Sequence, residues 1–349
     1  MPAKKNASAK KNTSIQSDLN QVPIDLSISI IAPSFKIPQV DLDECLSALT
    51  SLNVNYSIEQ PLFLDSELCA HTYNKRFSDF KKALSAKPEY IWCLRGGYGA
   101  LQLVPELLKL KTPIKKPKTF KKLIGFSDIT VLHYILNQKW NWPSLHWKHL
   151  NGFLIHDLKD NLNVKPSSNL MLDEKKKFNL KFFIDSVHRL NSEKYFYFNN
   201  LSPLNKNAEK TKSLKAKIVG GNLITMQSLV GQKIKSPKGK ILFFEEIDEP
   251  VYKIDRALTQ MDQAGWFKNI KGIVLGSFTN KNPQIELDTK NYFKTKFLRH
   301  KFPVFEGLKS GHIPDQEPLF LNTNSEINLD ISQTKRISFI LKNKNGFLD

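Results

Sequence analysis

Short, continuous apolar runs alternate along this chain with segments of helical spacing. Leu26–Ala32 (LSISIIA) reads as a strand closed by Pro33-Ser34, Glu44–Leu52 as a helix and Asn55–Ile58 as a second strand. Arg76–Leu84 has amphipathic helical spacing. Tyr90–Leu94 is a buried-type strand that enters Arg95-Gly96-Gly97-Tyr98-Gly99, and Ala100–Leu110 is helical. Leu123–Gly125 is the next strand, followed by a tight Gly-x-Ser turn and a helix over Ile129–Gln138. Apolar strands alternating with helices predict an α/β fold, a parallel sheet with helices on both faces. Ligands in such folds collect at the carboxyl ends of the strands, where both glycine-bearing turns lie.

The pattern changes after about residue 157. Residues 157–213 are polar and rich in lysine and asparagine, with one helix over Leu180–Leu190, and read as a linker. A second domain opens with the strand Ala216–Asn222 and an apolar helix, Leu223–Val230. Strands follow at Lys240–Phe244 and Gly272–Gly276, with a helix over Lys253–Ala264 between them and a β-hairpin within 326–341. The expected organisation is a basic disordered tail (1–24), an N-terminal domain (25–156), the linker (157–213) and a mixed, β-rich C-terminal domain (214–349).

Composition narrows the class. A chain of 349 residues is long enough for two domains. Three cysteines (Cys45, Cys69, Cys93) with no Cys-x-x-Cys suit a reducing compartment rather than a disulfide framework. No run of 18 apolar residues exists, and the basic N-terminus lacks the apolar stretch of a secretory signal, so a cytoplasmic protein off the membrane is expected. The net charge of +19 invites a nucleic-acid partner. However, 46 of the 52 basic residues are lysine, arginine is the residue suited to bidentate phosphate and base contacts, and no nucleic-acid-binding motif appears. A solvated lysine-rich surface is the reading, with no nucleic acid expected; such a field could still attract an anionic substrate.

The candidate chemistry lies at the turns. Ser127 sits between a strand end and a helix start, where hydrolases expose a nucleophile and where a serine also serves as a plain helix cap. The Arg95–Gly99 loop fits neither a P-loop nor a dinucleotide fingerprint; it is either a tight turn or a place of close backbone approach. Glu245 ends an apolar strand, and His312 lies among turn formers in Ser310-Gly-His-Ile-Pro314. Together Ser127, Glu245 and His312 would supply a nucleophile, an orienting acid and a base. His146 and His149 have no third ligand in a metal-binding pattern, so no metal is expected.

The order of these blocks resembles the LD-carboxypeptidase family, the muramoyl-tetrapeptide carboxypeptidases that also include microcin C self-immunity proteins. The likeness runs from about residue 26 to 330. Its blocks are Ile31-Ala-Pro-Ser34, Arg76 with the RGGYG loop, Gly125-Phe-Ser-Asp-Ile-Thr130, Gly220-Gly-Asn-Leu223, Phe244-Glu-Glu-Ile247 with Tyr252–Leu258, and Gly311-His312. The resemblance implies a serine peptidase, a homodimer without cofactor, with a Ser127-Glu245-His312 triad and an oxyanion hole from the amides of Gly97 and Asp128. Its substrate would be a murein tetrapeptide losing its terminal D-alanine in peptidoglycan recycling. Arg95, Gly96, Tyr98, Asn222 and Trp147 are the substrate-binding candidates. Two alternatives remain: an amidase of the microcin-immunity type, with Trp147 stacking on an aminoacyl-nucleotide conjugate, and more distantly a non-enzymatic nucleic-acid-associated protein. The chain departs from the family at His146-Trp147-Lys148 (usually His-Gly-Pro), at Leu308-Lys-Ser-Gly-His312 (usually Leu-Pro-Phe-Gly-His) and at Pro318-Leu-Phe (usually Pro-x-Gly).

Overall fold

The apolar runs of the N-terminal half pair into one sheet covered on both faces. In the computed structural model, which describes residues 26–110, 122–155, 177–191, 197–329 and 335–339, five strands run parallel. They are β1 (Ser27–Ile31), β2 (Asn55–Ile58), β3 (Tyr90–Cys93), β4 (Lys122–Gly125) and β5 (Ser144–His146), in the order β5-β4-β3-β1-β2. Their connections are the helices Gln39–Ser51, Tyr73–Ser85, Val104–Lys109 and Thr130–Lys139. A two-stranded antiparallel pair, β6 (Leu154–Ile155) with β7 (Lys177–Phe178), lies beside the helix Leu180–Asn191.

The C-terminal half closes into a seven-stranded barrel, β10-β11-β12-β8-β15-β14-β9. Its strands are β8 (Tyr197–Pro203), β9 (Ser213–Asn222), β10 (Ile241–Ile247), β11 (Gly272–Thr279), β12 (Val304–Glu306), β14 (Asn324–Leu329) and β15 (Lys335–Phe339). From β9 to β12 they are parallel, and β14 with β15 forms the expected C-terminal hairpin. Closure leaves no free sheet edge in the barrel.

Two boundaries differ from the sequence reading. The expected linker contributes β8, which pairs with β12 and β15, and the short helix Lys206–Lys210 capped by Asn205. The polar run Asn199-Asn-Leu-Ser202 gives no local strand signal, so this pairing is set by tertiary contacts. The remaining strand, β13 (Leu319–Leu321), leaves the C-terminal half and adds antiparallel to β5 of the first sheet. The expected N-terminal domain is therefore finished by residues from the far end of the chain. The expected basic tail lies outside the described residues.

Strand alternation divides the interior into two cores. Ile241 and Phe243 face one, Leu242 and Phe244 the other, and Trp92 and Ile91 separate in the same way. The helix Thr130–Lys139 is buried along nearly its whole length and packs against both β5 and β9. It is thus clamped between sheet and barrel, and the turn at its N-terminus is held with it. All three cysteines are buried thiols, and among the described residues no helix is long and apolar enough to cross a membrane.

Candidate active site

Ser127 begins a single 3-10 turn, Ser127–Ile129, that joins β4 to the clamped helix. Its φ is 58°, the left-handed region. For a residue with a Cβ this conformation costs on the order of 1–2 kcal/mol and persists only where surroundings impose it. The surroundings here are polar and dense. Nε2 of His133 lies 2.9 Å from the Gly125 carbonyl, which also accepts from Trp147 N–H at 2.9 Å. Nε2 of His149 lies 3.0 Å from the Phe126 carbonyl, and its ring stacks on Phe126 at 4.5 Å. Burial holds both imidazoles at about 3, so they are neutral struts at physiological pH.

Asp128 ties this turn to two others. Its Oδ2 accepts from Ser34 Oγ at 2.6 Å, at the end of β1, and from Ala100 N–H at 2.8 Å, at the end of the glycine-rich loop. Burial pushes its carboxyl above the ordinary range, against those hydrogen bonds. Its own N–H belongs to the first turn of the helix, where amides have no intrahelical acceptor.

The glycine-rich loop lies against the serine. A Cβ on Gly96 would sit 3.2 Å from Ser127 Cβ. Gly97 has φ 107° and its α-carbon faces the Phe35 ring, so only glycine fits there. Arg76, buried, fastens the loop from beneath: it donates to Pro33 O at 2.6 Å, Gly99 O at 2.9 Å and His71 O at 3.0 Å, and also to Gln102 Oε1. Arg95 is exposed and donates to Lys36 O at 3.2 Å, while Tyr98 is half exposed beside Phe35.

Opposite stand Glu245 and His312. Glu245 pairs in register with Asn222 on β9, and on its other side the β10–β11 register shifts between Phe244 and Glu246. Such a bulge re-aims a side chain. Glu245 is fully buried, and its Oε2 lies 2.8 Å from Nδ1 of His312. Gly311 makes this approach possible: its φ is 125°, and a Cβ there would lie 2.9 Å from Glu245 Cβ. Burial pushes the Glu245 carboxyl up, but the charge of His312 and the polarity of two neighbouring imidazoles outweigh it and hold the group at about 2. Burial lowers His312 in turn, and the Glu245 carboxylate overrides this and raises it. The His312 ring lies 4.7 Å from that of Phe126, the residue before Ser127. The structure thus brings the serine turn, the glycine-rich loop and the Glu245–His312 pair to one place.

Two expected substrate contacts belong to the scaffold instead. Trp147 is 2% exposed and packs against Trp92 and Phe153, each at 5.7 Å, so it offers no face to a ligand. Asn222 caps the helix Leu223–Gln227: its Oδ1 accepts from Thr225 N–H at 3.1 Å, and its Nδ2 donates to Glu246 Oε1 at 2.6 Å. Both ends of that amide are already engaged. His146 and His149 turn to different partners, and among the described residues no three side chains could hold a metal ion. The sequence reading missed His133, His149 and the Asp128 carboxylate as supports of the turn. Helical spacing placed His133 on the helix after Ser127, but nothing local showed that it reaches back to Gly125.

A serine in a left-handed strand-to-helix turn, helix-start amides beside it and a histidine–glutamate pair across from it are the parts of a serine-hydrolase site. Comparison with known proteins narrows the class. The model of the LD-carboxypeptidase N-terminal domain matches residues 28–147, and that of the C-terminal domain matches 215–327. A relative from Rickettsia conorii is 31% identical over 309 residues, covering 87% of this chain and 88% of its own. The murein tetrapeptide carboxypeptidase of Pseudomonas aeruginosa is 27% identical over 301 residues, 85% of this chain and 91% of that one. The solved muramoyltetrapeptide carboxypeptidase of Oxalobacter formigenes shares the fold with a TM-score of 0.67 at 21% identity, covering 90% and 98% of the two chains. The chain belongs to the LD-carboxypeptidase family and is a hydrolase of the serine-carboxypeptidase type.

Proposed function

We propose that the chain removes the terminal D-alanine from murein tetrapeptides, with Ser127 as nucleophile, His312 as base and Glu245 as the acid that orients it. The observation that carries this reading is the 2.8 Å contact between buried Glu245 and Nδ1 of His312. It fixes the imidazole tautomer and turns Nε2 away from Glu245, free to serve a hydroxyl. Ser127 Oγ attacks the carbonyl of the L,D-amide and passes its proton to His312. The tetrahedral oxyanion is met by the amides of Asp128 and Gly97; losing one such donor costs about a hundredfold or more in rate. His312 then protonates the leaving amine of D-alanine. Water, activated by the same imidazole, hydrolyses the acyl-enzyme. The free carboxylate of the substrate is met by the Gly96 backbone and the exposed Arg95, with Tyr98 alongside.

The amidase alternative, acting on aminoacyl-nucleotide conjugates on the same scaffold, would need a stacking platform other than Trp147. That residue is closed in the core. The test is mass spectrometry of murein tetrapeptide incubated with wild type and with Ser127→Ala. Loss of one D-alanine with wild type alone supports the reading; an intact tetrapeptide in both, beside an active control, defeats it.

A further inference from the structure

His146 ends β5 and is fully buried, 3.7 Å through its Nε2 from the second oxygen of Glu245, Oε1. Neither atom has a hydrogen-bond partner among the described residues. On the opposite side of the ring, Nδ1 lies 3.0 Å from Ser310 Oγ. Ser310 is two residues before His312 on the same loop, and its carbonyl is pinned by Ser277 N–H at 2.9 Å. The rings of Phe243 and Phe126 pack against the imidazole edge-on at 5.0 Å and 5.9 Å, and His133 lies 6.3 Å away.

The hydrogen-bonding roles are forced by chemistry. An ionised carboxylate only accepts, so the imidazole nitrogen facing Oε1 must carry the proton. A neutral imidazole then presents a bare Nδ1, and the Ser310 hydroxyl is the donor that suits it. At 3.7 Å the two atoms stand just beyond hydrogen-bond length, so the bond forms only when the ring turns toward Oε1.

We propose that His146 is a positioning residue for Glu245: its Nε2–H holds Oε1 while Ser310 fixes its tautomer, so that the acid is gripped by an imidazole on each side. This rests on the reading of Glu245 and His312 as acid and base. A fully buried carboxylate with one donor is free to rotate about its last torsion, and a second donor on the other oxygen removes that freedom. The arrangement also makes the grip depend on both halves of the fold, because His146 comes from the sheet and Ser310 from the histidine loop of the barrel half.

Three variants test it: His146→Phe, which keeps the ring volume, His146→Gln, which keeps a donor at the Nε2 position, and Ser310→Ala. Two readouts are used, kcat and KM for D-alanine release and the low-field proton resonance of His312 Nδ1–H. Loss of a hydrogen bond to a buried charge predicts a fall in kcat of roughly ten- to a hundredfold for His146→Phe with KM little changed, and a shifted resonance. His146→Gln recovers most of both, and Ser310→Ala loses roughly threefold to tenfold. Wild-type kcat and an unmoved resonance in His146→Phe and Ser310→Ala overturn the proposal. If His146→Phe does not fold, Ser310→Ala decides alone. If wild type does not cleave tetrapeptide, the proposed substrate fails while the resonance still decides the role of His146.

Discussion

Nδ1 of His312 and Oε2 of Glu245 stand 2.8 Å apart, and the carboxylate half of this pair has no exposed surface. A loop histidine is thereby fixed by a strand-end acid from the interior of a closed barrel. In Glu245→Gln an amide oxygen can still accept from Nδ1–H, but the negative charge that stabilises the imidazolium is gone and the wrong tautomer becomes competitive. The expected result is a loss of roughly a thousandfold or more in kcat, with KM close to wild type. Steady-state kinetics on tetrapeptide check this. A Glu245→Gln enzyme within tenfold of wild type would remove the acid from the mechanism.

The same pair fixes the pH dependence. In the proposed mechanism His312 must be neutral to accept the serine proton, and the Glu245 carboxylate raises its pKa above the ordinary histidine value. The rising limb of kcat/KM against pH therefore lies above about 6.5. Stability follows the opposite sign for the two partners. The raised His312 contributes stability that is complete below about 6.5 and is lost as pH rises through its folded value. The depressed Glu245 contributes stability present above its ordinary range, near 4.5, and lost as pH falls toward about 2. In Glu245→Gln the kinetic limb moves down, toward or below the ordinary histidine value. A limb that stays in place would separate the titrating group from His312.

Much of this was legible because it is local. The strand runs around residues 91, 124, 243 and 274 are continuously apolar, and the run around 28 is interrupted only by Ser27 and Ser29; that pattern points to a buried parallel sheet. Ser127 and Glu245 each end such a run, so their placement at carboxyl ends followed from element order. The rest depends on chain closure. The strand β8 pairs with β12 and β15, far along the chain, and β13 joins a sheet strand more than 170 residues earlier. The helix Pro283–Lys296 was missed because its charged positions mask the apolar stripe, although Asn282-Pro283 is a helix-start signal. Trp147 looked available because it follows a strand in a segment that departs from the family. Its burial is set by nearby Phe153 together with Trp92, which no local window around Trp147 contains.

The left-handed turn at Ser127 makes a stability prediction that is independent of substrate. Glycine adopts φ 58° without the Cβ clash, whereas alanine retains it. Both Ser127→Gly and Ser127→Ala remove the proposed nucleophile and are expected to abolish hydrolysis. Ser127→Gly should nevertheless be the more stable of the two by about 0.5–1 kcal/mol, after the greater unfolded-state entropy of glycine is subtracted. Paired thermal melts decide this. A Ser127→Gly variant less stable than Ser127→Ala by the full unfolded-state entropy cost of glycine, about 0.4–1 kcal/mol, would mean that the turn carries no strain.

Asp128 offers the sharpest separation of structure from chemistry at this site. One oxygen, Oδ2, accepts both from Ser34 Oγ at 2.6 Å and from Ala100 N–H at 2.8 Å. Asparagine can place its amide oxygen at that position and keep both bonds, so Asp128→Asn should cost less than about 1 kcal/mol. Alanine leaves two buried donors unpaired, and Asp128→Ala should cost about 2–4 kcal/mol. The catalytic consequence follows the same order. Ala100 immediately follows the glycine-rich loop, and releasing it would let the Gly97 amide drift from its proposed oxyanion position. Asp128→Ala should therefore lose kcat as well as stability, while Asp128→Asn keeps most of both, since the Asp128 amide proposed for the oxyanion hole is backbone in either variant. Denaturant titration beside tetrapeptide kinetics measures the two effects separately. If Asp128→Asn were as inactive as Asp128→Ala while remaining stable, the carboxylate charge itself, and not its grip on the loop, would be what the site requires.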